Sequence, residues 1–149
     1  MIAYSLEHWT EFGTATAGAA AALAGLLVVA VSINLQRILE YPGLPHRAAV
    51  TLILFTMPLI TGLLLVVPGQ PRAALAWELL VIGVAVGPFL LVTDFRIPLS
   101  EKETRLTWLF SRILPEIVTC GCLAAAGATL LAEGGGGLYW VVPAVIASF

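Results

Sequence analysis

The sequence predicts an all-α integral membrane protein, one domain over residues 1–149 with four full spans and a shorter fifth. Three observations carry that prediction. Apolar residues make up 60% of the chain and charged residues only 11%, with a mean hydropathy of +1.00. A soluble domain of this length hides only about 70% of its surface and carries about 25% charged residues, so the soluble class is excluded. Uncharged runs recur at close to the length that a bilayer core of about 30 Å demands, about 20 helical residues. Turn-forming groups separate them: Tyr41-Pro42-Gly43, Pro68-Gly69-Gln70-Pro71, Arg96-Ile97-Pro98, and the glycines from Gly134 to Gly137.

The first two spans, about 12–37 and 48–68, are long enough outright. The third, about 73–93, becomes a full span by admitting Glu78, and the fourth, about 113–132, by admitting Glu116. The fifth, Leu138 to Phe149, is 12 residues long, or about 18 Å as a helix, and reads as a span cut short. The first eleven residues hold Glu7 and Glu11 but no Lys or Arg, so no cleavable signal is expected.

Charge asymmetry sets the expected orientation. Alternating spans put Arg37, Arg47, Arg96, Lys102, Arg105 and Arg112 on one side and only Arg72 on the other. The basic side faces the cytoplasm, which leaves the N-terminus outside. Trp9, Trp77, Tyr139 and Trp140 then fall at the outer boundary, and Tyr41, Phe95 and Trp108 at the inner one. Between spans three and four, Ser100 and Glu103 have capping-box spacing. Leu106, Leu109, Phe110, Ile113 and Leu114 follow at helical intervals, which predicts an amphipathic helix in the cytoplasmic interface, kinked at Pro115.

Chemistry-bearing residues are few. A charge at the bilayer centre costs about 3 kcal/mol or more, so intramembrane charges come first. Arg112, Glu116 and Cys120 share one helical face, with Gly127 further along it. They read either as a polar stripe on a cavity, with Glu116 a proton or cation ligand, or as a first helical turn among headgroups, where Pro and Glu are both favoured. Glu78 either snorkels outward beside Trp77 or pairs with a neighbouring helix. The first span turns polar at Ser32, Asn34, Gln36 and Arg37, and His46 caps the second. Glu7, His8 and Glu11 read better as a solvated helix start than as a metal site. Cys120 and Cys122 point to different faces and read as small buried residues. No C-x-x-C, H-E-x-x-H, G-x-S-x-G or phosphate-binding glycine loop occurs, so no catalytic residue, cofactor or metal is expected. A net charge of −2 offers nucleic acid no basic surface.

Packing signals are richer. Gly83 and Gly87 form a small-xxx-small pair, and Gly18/Ala22 and Ala21/Gly25 repeat that spacing in the first span. Such faces pack against a sister chain or against helices of the same chain. Pro58 and Gly87-Pro88 are expected to bend their spans.

The run AGAAAALAGLLVVAVSINLQRIL (17–39), with LVVPGQ (65–70) and GLYWVVPA (137–144), resembles a group of small polytopic membrane proteins of high-GC bacteria, often labelled modulators of the membrane protease FtsH. The resemblance covers most of the chain and implies a fold and a bacterial cytoplasmic membrane, with no functional residues to carry over. The expected partners are the lipid bilayer and either a second copy or a larger membrane complex. The leading expectation is a non-enzymatic regulator, scaffold or accessory subunit acting through helix packing. Its alternative is a homo-oligomeric channel or transporter lined by the first span, Ser32, Asn34 and Glu116.

Overall fold

The computed structural model describes residues 6–41, 43–95 and 105–149, and within these every regular element is helical. The order is α1 (Thr10–Ile33), α2 (Leu35–Glu40), α3 (Leu44–Val66), α4 (Arg72–Phe95), α5 (Arg105–Trp108), a π-helical turn (Leu109–Ile113), α6 (Leu114–Ala132), a 3₁₀ turn (Gly137–Trp140) and α7 (Val141–Ser148). Four helical stretches are long and apolar enough to cross a membrane: Glu7–Ile33, Leu44–Val66, Arg72–Phe95 and Leu106–Ala132. This is a membrane protein. In such a solvent each span must satisfy its own backbone, which is why helices run where the apolar stretches run.

The architecture is two tight antiparallel pairs, α1 with α3 and α4 with α6, joined by α7 packing on both α6 and α3. Glycine closes both pairs. A β-carbon on Gly13 would stand 2.8 Å from the Gly62 carbonyl oxygen, and one on Gly62 would stand 2.6 Å from that of Gly13. In the second pair, Gly83 faces the backbone of Cys120 and Ala124, and Gly127 faces that of Ala76 and Leu80. Bilayers supply no hydrophobic push between helices, so this close approach and its dispersion contacts hold the pairs together. The apolar core lies toward the Gly134 end, where Leu75, Leu79, Leu123, Leu130, Leu138 and Val141 are fully enclosed. Trp9 stacks edge-on against Phe12 and Tyr139 there, tying the start of α1 to the 3₁₀ turn.

Helix runs on through the prolines. The chain is helical from Arg105 to Ala132, past Pro115. Proline lacks an N–H and crowds the preceding turn. Here a π turn precedes it, with Leu114 N–H bonded to Leu109 O, and a wider turn gives the ring room. Leu106, Leu109, Phe110 and Leu114 lie exposed along this helix while Ile113 is buried. Ser100 and Glu103 lie outside the described residues. Pro58 and Pro88 sit inside helices that continue past them. The first span stops at Ile33, because Asn34 leaves helical geometry and α2 starts afresh.

The loop from Glu133 to Gly137 explains its own composition. Glu133, Gly135, Gly136 and Gly137 all have positive φ, and only glycine takes that conformation without steric cost. Trp140 Nε1 donates to Gly135 O at 2.7 Å and pins the loop over α7.

Candidate functional site

Near the opposite end of the bundle, α3, α4 and α6 separate around a cavity of about 160 Å³. It is lined by Arg47, Val50, Thr51 and Leu54 from α3, Asp94 from α4, Ser111 and Arg112 from the π turn, and Glu116 from the first turn of α6. Two carboxylates share this space, Asp94 at 1% exposure and Glu116 at 0%. Asp94 Oδ1 lies 2.7 Å from His46 Nε2, a contact that links the start of α3 to the end of α4. Asp94 Oδ2 and both carboxylate oxygens of Glu116 are buried without a hydrogen-bond partner. Buried polar groups in folded proteins are nearly always hydrogen-bonded, and an unmatched carboxylate is among the costliest exceptions. The hydroxyls nearby give no relief. Thr51 donates to Arg47 O at 2.9 Å and Ser111 to Thr107 O at 2.7 Å, each back along its own helix.

Glu116 is therefore enclosed by protein rather than exposed on the first turn of its helix. The sequence placed it correctly in the first turn, but α3 and α4 cover that turn. Beyond it the stripe changes character. Cys120 packs where a β-carbon on Gly87 would come within 3.0 Å, and Gly127 seals against α4. The Arg112–Glu116–Cys120–Gly127 face is thus a cavity at one end and a dry seam at the other.

The remaining candidates lie elsewhere. Ser32 Oγ donates to Val28 O at 2.7 Å and Asn34 Nδ2 to Ala30 O at 2.9 Å, and both are exposed. Ser32 borders a separate apolar groove of about 290 Å³ between α1, α2 and α3, and Arg37 is exposed on α2. The structure does not bring Ser32 or Asn34 together with Glu116 within one chain. Glu78 is half-buried and accepts a hydrogen bond from Gln70 Nε2, so its partner is the preceding loop rather than another helix. Gly18, Ala22 and Gly25 are exposed, and a β-carbon on Gly18 or Gly25 would meet nothing within 4 Å. The packing face of α1 is instead Gly13, Thr16, Ala17 and Ala20. Gly83 and Gly87 do form a packing surface, spent on α6 of the same chain.

Sequence reasoning missed Asp94 and treated His46 as a simple cap. One signal was present: His46 opens one span and Asp94 closes the next, which puts them at matched depth in antiparallel neighbours. Among the described residues no group of three His, Cys, Asp or Glu side chains is placed to hold a metal ion. Comparison with family models, curated proteins and solved structures gives no match for this chain. Residue roles therefore rest on geometry alone.

Proposed function

We propose that this chain is a non-enzymatic membrane module, a regulator, scaffold or accessory subunit, that acts by docking transmembrane helices on the open face of α1. One observation carries the reading. α1 is small-residued on two opposite faces, and only one of them, through Gly13 and Ala17, is used within the chain. The other, Gly18-Ala22-Gly25, leaves Gly18 and Gly25 with nothing against them. Lipid tails pack poorly on a flat strip of backbone, whereas a second helix gains close van der Waals contact there. The resemblance to protease modulators fits such a role, with the chain in a bacterial cytoplasmic membrane and its N-terminus outside.

The test is cysteine crosslinking in native membranes. Ala22→Cys should give a crosslinked adduct, either of twice the mass of the chain or with another membrane protein, and Gly18→Leu with Gly25→Leu should abolish it. An Ala22→Cys chain that yields no adduct sinks the reading.

A second reading, an ion or small-solute path, is favoured by the Asp94–Glu116 cavity. The enclosed leucines between that cavity and the Gly134 end argue against a path through one chain. This reading therefore requires a conduit between copies, and Glu116→Gln would then stop flux in reconstituted vesicles.

A further inference from the structure

We propose that the cavity between α3, α4 and α6 is a proton-binding site, in which Glu116 takes up one proton from the aqueous phase at the Asp94 end of the bundle. The inference is independent of the docking role of α1.

Glu116 is fully buried, faces the cavity, and has no donor on either oxygen. Asp94 brings a second carboxylate to the same cavity with one oxygen likewise unmatched. The described charged and titratable groups around them are His46 and Arg47 on α3, Arg112 on the π turn, and the buried Cys120 thiol one turn along α6 from Glu116. Two arginines balance two carboxylates in charge, but balance does not supply hydrogen bonds to Glu116. A buried carboxylate without a protein donor is relieved by a proton, a donor or a cation. Among the described residues the acidic and histidine side chains form no three-ligand group. A proton needs only one acceptor. Its transfer is balanced simply: a hydronium ion gives its proton to a Glu116 oxygen, an O–H bond forms, water is released, and the cavity gains one positive charge.

Toward the Gly134 end, Gly83 against Ala124 and Gly127 against Ala76 close the α4–α6 seam. At the other end His46, about one-fifth exposed, touches buried Asp94 and connects the cavity to the bundle surface. The arrangement is a proton-binding pocket closed along the α4–α6 seam.

Infrared difference spectroscopy of the full chain in lipid nanodiscs, recorded across neutral pH, tests this directly. The wild-type chain should show a protonated-carboxyl C=O band that moves in heavy water and changes with bulk pH. Glu116→Gln should lose it, Glu116→Asp should restore it at a shifted frequency, and Asp94→Asn should alter its pH profile. Wild-type chain without such a band, or a band that survives Glu116→Gln, overturns the proposal. So does a band that sodium chloride abolishes at fixed pH, which would make the occupant a metal cation. The wild-type measurement decides the matter even where a variant fails to fold.

Discussion

A β-carbon placed on Gly127 would lie 2.5 Å from the carbonyl oxygen of Ala76, inside any tolerable contact distance. The two helices touch backbone to backbone at that point, and Gly83 repeats the contact two turns away on the partner helix, against Cys120 O and Ala124 N at 2.6 Å.

Stability should follow those contacts. Gly127→Leu and Gly83→Leu must push α4 and α6 apart, and overpacking of this kind costs about 1–3 kcal/mol or more. Gly18→Leu meets open space and should change stability by less than about 0.5 kcal/mol. Denaturant titration in mixed micelles separates the two classes. Equal losses for Gly18→Leu and Gly83→Leu would contradict the assignment of faces.

His46→Ala should leave Asp94 Oδ1 without its neighbour in a buried site. The expected loss is about 1–3 kcal/mol, the usual cost of stranding a buried acceptor. In an Asp94→Leu background the same substitution should cost much less, because no carboxylate remains to be stranded. A double-mutant cycle reads this coupling, and a coupling energy near zero would remove the α3–α4 link from the account.

At the other end, Arg72 pairs with Glu133 across an exposed contact. Surface pairs of this kind contribute at most about 1 kcal/mol, so Arg72→Gln should be close to silent. Glu133→Gly loses the same pair but relieves a residue held at φ 53°. Left-handed geometry costs a non-glycine residue about 1–2 kcal/mol, partly offset by the added freedom of glycine in the unfolded chain. A net gain of a few tenths to about 1 kcal/mol is expected in thermal unfolding.

Topology is checked with fusions. Reporters after Gln70 and Gly136 should read outside, and reporters after Gly43 and Glu101 inside, as the arginine bias requires. An inside signal at Gln70 would reverse the bundle and place the Glu116 cavity toward the exterior.

The four long helices were legible because they depend on local properties, namely apolar runs bounded by Pro, Gly and charge. Gly83 and Gly87 were legible as packing residues for the same reason. Which face of α1 packs was not, since its first half is small all around and only the position of Gly62 on α3 selects Gly13 over Gly18. The π turn before Pro115 was not legible, because it depends on how the covering helices hold that segment. Glu116 was found as a residue, but its sequence left two settings open, a cavity or a first turn among headgroups. Its burial comes from covering helices, and Asp94 and His46 meet across 48 residues of chain, a relationship that no local pattern encodes.

The junction made by α7 bears on how the protein is built. Both helix pairs precede α7 in the chain, and each is closed by its own glycines. Each pair can therefore close without the piece that joins them. Without α7, two closed hairpins would leave Leu123 and Leu65 short of cluster partners, and the docking of Val141 and Ala144 is the event that joins the pairs.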